Sequence, residues 1–278
     1  MSDSEQTQPP GSGDASAVPS APPSKLRYVA LGDSYAAAPL VPVTDVANGC
    51  FRSSSNYPSI VAKKLGATLD DRSCGGARTA DFHRSQFPDV PPQLTALKGG
   101  ADVVTVGIGG NDERVFGQLV DRCPALRSSN PDGAPCAAAM RTKGKDALLT
   151  ALARTRSKVT GLLRQIHRRV PDAQVLVVGY PQIASAHDRC SELPLARGDY
   201  AYAQKVNFAL TEMLRKAARA TSATYIDVWT ASKGHDICAD DPWINGSVDN
   251  EKQAARFHPF AKEQVAVADL VVKAIQGR

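Results

Sequence analysis

Short apolar runs alternate with longer amphipathic stretches from residue 25 to the carboxyl end of the chain. The apolar runs predict strands at 26–31, 68–72, 102–108, 175–178 and 224–228. The amphipathic stretches have helical spacing and cover 57–65, 146–170, 199–220 and 261–275. Strands separated by helices of this length are joined by right-handed crossovers into a parallel sheet. We therefore expect one α/β domain over residues 25–278, a three-layer α/β/α sandwich with a central parallel sheet.

The composition is that of an ordinary soluble protein. The chain has 278 residues, of which 42% are hydrophobic and 22% charged, and its formal net charge is +5. No apolar run approaches the roughly 18 residues of a membrane span. The basic residues are not interleaved with aromatic ones, so we do not expect a nucleic-acid partner.

The first 24 residues differ from the rest. They contain five prolines and no Lys or Arg, and they are rich in Ser and Gly. Such a segment buries too little apolar surface to order, so we expect a disordered linker over residues 1–24. No basic and apolar export signal precedes it. For a secreted or envelope-tethered protein, we expect that signal to have been removed from this chain.

The six cysteines predict disulfides rather than a metal site, because there is no CxxC pair and no histidine at zinc-finger spacing. Fifteen pairings are possible, and neighbours in sequence close the shortest loops. The predicted bonds are Cys50–Cys74, Cys123–Cys136 and Cys190–Cys238. They imply an oxidising compartment. The alternative is six buried, reduced cysteines in a cytosolic protein.

Polar and glycine-rich turns follow the first three predicted strands. These turns are Gly32-Asp33-Ser34-Tyr35, Cys74-Gly75-Gly76-Ala77 and Gly109-Gly110-Asn111-Asp112. Because chemistry in parallel sheets gathers beyond the carboxyl ends of the strands, we expect the three turns to meet there. Singly, each has a structural explanation as a helix cap, a plain turn or a loop brace.

His258 precedes the last predicted helix and is followed by Pro259. A lone histidine in such a place is usually a surface residue. Its combination with a serine, a glycine N–H and an asparagine changes that interpretation. Together these groups are the base, nucleophile and oxyanion donors of acyl transfer.

In order and separation, these blocks resemble those of the SGNH (GDSL-type) hydrolases over roughly residues 28–265. The chain is most similar to the secreted actinobacterial esterases and lipases, whose three disulfides would fall on the same pairs. The resemblance implies a flavodoxin-like fold and no metal or organic cofactor. It also implies that Ser34 is the nucleophile and His258 the base. The Ser34 N–H, the Gly76 N–H and the Asn111 side chain would form the oxyanion hole.

The chain departs from the family at the residue that orients the histidine. The usual D-x-x-H block has a carboxylate three residues before the histidine, where this chain has Ala255. We expect the backbone carbonyl of Ala255 or a near neighbour to accept the ring N–H, which gives a Ser-His dyad. Asp249 and Glu251 are the alternatives, since the loop could bring either carboxylate back.

The segment from 141 to 169 is strongly basic, with nine Lys or Arg and one acid. Its ordinary explanation is the solvated face of an amphipathic helix. The alternative is attraction to an anionic membrane or envelope surface.

The expected activity is that of a monomeric serine esterase that acts on a small-molecule or lipid ester. A lipase or phospholipase A1 and a polysaccharide O-acetylesterase are the alternatives within enzymes. A carbohydrate-binding envelope protein with a decayed site is the alternative outside them.

Overall fold

A computed structural model describes residue 1 and residues 25–277. Apart from residue 1, the linker expected over residues 1–24 lies outside the described residues. No helix of the described part has the length and apolar character needed to cross a bilayer.

The strands are short and, apart from two hairpins, belong to one sheet. They are β1 (Arg27–Gly32), β2 (Thr44–Asp45), β3 (Arg52–Ser53), β4 (Thr68–Asp71), β5 (Val103–Gly107), β6 (Arg141–Thr142), β7 (Lys145–Asp146), β8 (Gln174–Val178) and β9 (Thr224–Ile226). Five of them form a parallel sheet in the order β4-β1-β5-β8-β9. The pairs β2-β3 and β6-β7 are antiparallel.

Long helices pack against the sheet, and short helices lie in the segments that connect them to the strands. The α-helices are α1 (Ser34–Ala37), α2 (Tyr57–Leu65), α3 (Val115–Gly117), α4 (Cys123–Leu126), α5 (Pro135–Ala139), α6 (Ala147–Arg169), α7 (Asp199–Arg219), α8 (Val228–Ala231) and α9 (Ala261–Gln276). Short segments of 3₁₀ or π helix lie at Thr79–Phe82, Gln93–Gly99, Asp112–Arg114, Gln118–Arg122 and Arg127–Ser129.

The central strands are buried on both faces, which explains their valine-rich sequence. In β5, Val104 and Val106 face the core shared with α6 and α7. Val103 faces the core shared with α2 and α9. The helices therefore lie in two layers on opposite faces of the sheet, and the predicted three-layer sandwich is confirmed.

The last predicted strand overshoots its observed carboxyl end by the most residues, two. The segment expected to be extended over 224–228 leaves the sheet after Ile226. The carboxylate of Asp227 accepts a hydrogen bond from the Thr230 N–H at 3.1 Å and so begins α8. The cap gives the Thr230 N–H, at the start of the helix, a hydrogen-bond acceptor.

All six cysteines are paired as the sequence predicts. The bonds join Cys50 to Cys74, Cys123 to Cys136 and Cys190 to Cys238. The first of them ties the hairpin region after α1 to the loop that follows β4.

Candidate active site

Ser34 lies where β1 turns into α1. The turn requires glycine at position 32, because a Cβ there would lie 2.7 Å from the Gly107 carbonyl oxygen of the neighbouring strand. Asp33 caps the helix, and its carboxylate accepts a hydrogen bond from the Tyr35 N–H at 3.0 Å. Ser34 is therefore the first residue of a capped helix at the carboxyl edge of the sheet.

The loop after β4 brings Gly76 to the same edge. Gly75 N–H donates to the Cys50 carbonyl at 2.8 Å, so the first disulfide and this hydrogen bond hold the loop together. Gly76 has a φ of +75°, a backbone conformation that favours glycine. Asn111 joins this loop to the end of β5, because its side-chain amide donates to the Ala77 carbonyl at 3.1 Å.

Two backbone donors are available at this edge. Within the described residues, neither the Ser34 N–H nor the Gly76 N–H donates a hydrogen bond to another group. The Asn111 amide has two hydrogens, and the Ala77 carbonyl accepts one of them. The sequence-predicted oxyanion donors thus come from three loops at one edge of the sheet.

Asp112 is the loop brace that the sequence suggests. Its carboxylate accepts hydrogen bonds from the Thr79 N–H at 3.0 Å and from the Thr79 hydroxyl at 2.6 Å. Asp112 is 3% exposed, so these bonds also satisfy a buried polar group.

A cleft of about 310 Å³ brings three of the candidate side chains together. Ser34, Asn111 and His258 all line it. Gly76 is not among its lining residues. Phe116 and Val120 supply part of an apolar wall, which suits the hydrocarbon part of a substrate.

The His258 ring is oriented by a backbone carbonyl, but not by the one named first from the sequence. Its Nδ1 lies 2.7 Å from the carbonyl oxygen of Arg256. The Ala255 carbonyl instead accepts the backbone N–H of His258 at 3.1 Å. Arg256 rather than Ala255 therefore supplies the carbonyl that faces the ring. The Ala255 oxygen instead accepts the hydrogen bond that closes the turn from 255 to 258.

Neither alternative carboxylate contacts the imidazole within the described residues. Asp249 accepts a hydrogen bond from the Arg256 N–H at 2.7 Å, so it fixes the peptide that precedes the orienting carbonyl. Glu251 is exposed and forms no hydrogen bond within the described part of the chain. Asp249 thus contacts the loop rather than the ring.

Burial lowers the pKa of His258 below its usual value. The hydrogen bond to the Arg256 carbonyl and the charge of Asp249 act in the opposite direction. A neutral imidazole is the form that accepts a proton from a serine hydroxyl.

Phe257 and Tyr35 hold the histidine loop in place. Phe257 has a φ of +59°, an uncommon conformation for a residue with a side chain. Its carbonyl accepts a hydrogen bond from the Tyr35 hydroxyl at 2.8 Å. The Tyr35 ring also lies 5.6 Å from the His258 ring. The residue after Ser34 thereby supports the residue before His258.

Gln264, in the first turn of α9, connects the last helix to α1 and α2. Its side chain accepts a hydrogen bond from the Tyr57 N–H at 2.7 Å and donates one to the Tyr35 carbonyl at 3.1 Å. The neighbouring Glu263 is 2% exposed, and burial raises its pKa to about 8.

A buried tyrosine that the sequence did not point to links the serine turn to the asparagine turn. The Tyr180 hydroxyl donates to the Asp33 carboxylate and accepts from the Gly110 N–H at 3.0 Å. Burial raises the pKa of Asp33 to about 7, and the Tyr180 hydrogen bond lowers it in part. The only sequence signal is the position of Tyr180 just after the β8 strand, at the carboxyl edge of the sheet.

No group of three or more potential metal ligands occurs among the described residues.

Comparison with known proteins gives consistent relatives. Residues 30–262 match the GDSL-like lipase/acylhydrolase family. The chain is 42% identical to lipase 2 of Streptomyces coelicolor over 229 aligned residues. The alignment covers 81% of this chain and 77% of that protein. The phospholipase A1 of Streptomyces albidoflavus superimposes with a TM-score of 0.73 at 25% identity, over 91% of this chain and 100% of that one. The extracellular lipase of Streptomyces rimosus has a TM-score of 0.69 at 26% identity, over 90% and 99%.

The family match covers the serine turn, the asparagine turn and the histidine, and the relatives share the fold that carries them. The resemblance found in the sequence blocks is confirmed. The chain belongs to the GDSL-like lipase/acylhydrolase family and is a carboxylic ester hydrolase.

Proposed function

We propose that Ser34 and His258 form a catalytic dyad that hydrolyses esters through an acyl-enzyme. The Ser34 oxygen attacks the ester carbonyl while His258 takes its proton, and the carbonyl oxygen becomes an oxyanion. His258 then protonates the departing alcohol, and water repeats the sequence to release the acid. The observation that carries this proposal is the shared cleft of Ser34, Asn111 and His258.

The oxyanion is held by the Ser34 N–H, the Gly76 N–H and the Asn111 amide. The two N–H groups donate to no other described residue, and Asn111 has a hydrogen to spare. Donors of this kind stabilise charge that develops only in the transition state.

The Arg256 carbonyl takes the place of the acid in a triad. A carbonyl oxygen 2.7 Å from Nδ1 fixes the tautomer whose Nε2 is free to accept the serine proton. Asp249, bound to the N–H of the same residue, keeps that carbonyl in position.

Lipid esters are the substrate class that the cleft favours. Its wall includes Phe116, Val120 and Phe257, which offer apolar contact to an acyl chain. The structural relatives include a phospholipase A1 and an extracellular lipase. A small acetyl ester would leave most of this wall uncovered, so the O-acetylesterase is the weaker candidate.

The enzyme acts outside the cytoplasm as a monomer. Three disulfides persist in an oxidising compartment, and the Streptomyces rimosus relative is an extracellular lipase. An anionic membrane or envelope surface is its partner, to which the basic helix α6 is attracted.

Replacing the nucleophile tests this function. Ser34→Ala should abolish hydrolysis of p-nitrophenyl esters and labelling by a fluorophosphonate, with unchanged thermal unfolding. The matched control is Ser157→Ala, an exposed serine on α6, which should keep both. A chain-length series of the esters, run beside a phospholipid and an acetylated sugar, ranks the substrate classes. Turnover by Ser34→Ala would contradict the mechanism, and an absence of labelling in the unaltered protein would support a decayed site.

A further inference from the structure

An apolar groove lies between α6 and α7, on the face of the sheet opposite to α2 and α9. It encloses about 410 Å³, and its floor includes Leu149, Leu152 and Met213. Phe208 stands at its side and is 44% exposed. Its ring lies 5.2 Å from the ring of Trp229, so the exposed aromatic surface is held in place by packing.

The charges around this groove are positive. Arg156, Lys205 and Lys216 line it, and none of them forms an ion pair with a described residue. The acid in the groove, Glu212, is paired with Arg215 at 3.0 Å. The groove therefore combines an apolar floor with three unneutralised cations.

Other cations of α6 are already used. Arg154 and Lys158 bind the two carboxylate oxygens of Glu113 at 3.0 and 2.7 Å. Two cations of α6 thus brace the loop after the asparagine turn, whereas Arg156 of α6 and Lys205 and Lys216 of α7 line the groove.

The groove floor reaches the core beneath the asparagine turn. A Cβ on Gly109 would lie 3.1 Å from the Met213 methyl group, so the groove floor packs under the turn that leads to Asn111. The groove and the catalytic cleft are lined by different residues.

We infer that this groove, together with Phe208 and its three cations, is the face on which the enzyme docks onto an anionic lipid surface. The inference rests on the proposed action on lipid esters. Phe208 enters the boundary between headgroups and acyl chains, where apolar and aromatic side chains are favoured. Arg156, Lys205 and Lys216 meet phosphate or carboxylate headgroups, and their long stems cover the groove edge.

Vesicle binding tests the docking face, and the Ser34→Ala background keeps the lipid intact. Phosphatidylcholine vesicles with and without phosphatidylglycerol are sedimented with the full chain. The double variant Lys205→Gln/Lys216→Gln should lower the partition onto anionic vesicles by about 10–30-fold, since each basic residue near such a surface contributes about fivefold. Phe208→Ala should weaken the binding as well.

The matched control removes the same charge from the other face. Lys63→Gln/Lys273→Gln, on α2 and α9, should change the partition less than threefold. With Ser34 restored, all variants should hydrolyse a soluble short-chain ester at the rate of the unaltered enzyme. That readout separates failure of docking from failure of the catalytic proposal.

Three results would overturn the inference. Equal losses in the two double variants would mean that only net charge matters. Equal binding to neutral vesicles would remove the role of the cations. A concentration-dependent dimer that Phe208→Ala dissociates, without vesicle binding, would make the groove an interface between two copies of the chain.

Discussion

Removing the Tyr180 hydroxyl should slow catalysis although Tyr180 does not line the catalytic cleft. In Tyr180→Phe, the Gly110 N–H loses its acceptor and the Asp33 carboxylate loses its donor. Tyr180 is 1% exposed and Asp33 is fully buried, so water does not readily replace either bond. The two turns that carry Ser34 and Asn111 then lose the link between them.

The expected losses of stability and of kcat both follow from the two broken hydrogen bonds. A buried group left without its partner costs about 1–3 kcal/mol, so the free energy of unfolding should fall by roughly 2–4 kcal/mol. Deleting one oxyanion donor lowers kcat by about 10²–10³. Tyr180→Phe displaces Asn111 without deleting it, so the loss should be smaller. We expect kcat to fall about tenfold and KM to change less than threefold.

The stability loss should also depend on pH. The Tyr180 hydrogen bond lowers the pKa of Asp33, so it stabilises the charged carboxylate. Below its folded pKa of about 7, Asp33 is protonated in the folded protein with or without the Tyr180 hydroxyl, so this part of the contribution vanishes. Urea unfolding of Tyr180→Phe should therefore show a larger loss at pH 8 than at pH 5.

Tyr28→Phe is the matched control for this experiment. Its hydroxyl is equally buried and bonds Thr105 at 2.8 Å inside the sheet, away from the two turns. It should lower stability by about 1 kcal/mol and leave kcat unchanged. If both variants lost kcat in proportion to stability, or if Tyr180→Phe kept full kcat, the positioning role of Tyr180 would be refuted.

Further expectations concern the oxyanion hole, the histidine loop and a buried acid. Asn111→Ala should lower kcat by about 10²–10³ with little change in KM, and a change in KM alone would assign it to substrate binding. Asp249→Asn and Glu251→Gln should each keep kcat within a few fold, whereas loss of a true triad acid costs about 10⁴. Because burial raises the Glu263 pKa to about 8, folded protein retains a proton that unfolded protein releases above about pH 4.5. This group should thus make stability fall from pH 5 to pH 8, and the urea midpoints of Glu263→Gln should fall less steeply over that range. Mass spectrometry of the unreduced protein should detect no free thiol.

The pattern of the sequence predicted the strands and helices of the sandwich to within two residues at most ends. Buried parallel strands read as continuous apolar runs, and α6 and α7 carry a clear helical period. The meeting of three candidate residues in one cleft was predictable for a related reason. Ser34, Asn111 and His258 sit at strand ends or a helix start, and sequence order alone places such positions at one edge of a parallel sheet.

What the sequence did not reveal depends on side-chain and carbonyl directions. Ala255 and Arg256 are adjacent, and only the closure of the turn decides which oxygen faces the ring. The bridge from Asp33 through Tyr180 to Gly110 joins segments that are remote in the chain. Neither a period nor a local motif encodes such a contact, since it arises from tertiary packing.

The contacts of Gln264 have a consequence for the order in which the molecule assembles. They tie α9 to Tyr35, 229 positions earlier in the chain, and His258 lies just before that helix. Contacts between such distant positions form late, because long loops must close before the bonds are made. During synthesis the segment with Ser34 emerges early, but its contacts with α9 form only after the last helix of the chain has been made. Catalytic activity is thus a property of the finished molecule, and its appearance during refolding reports the docking of α9.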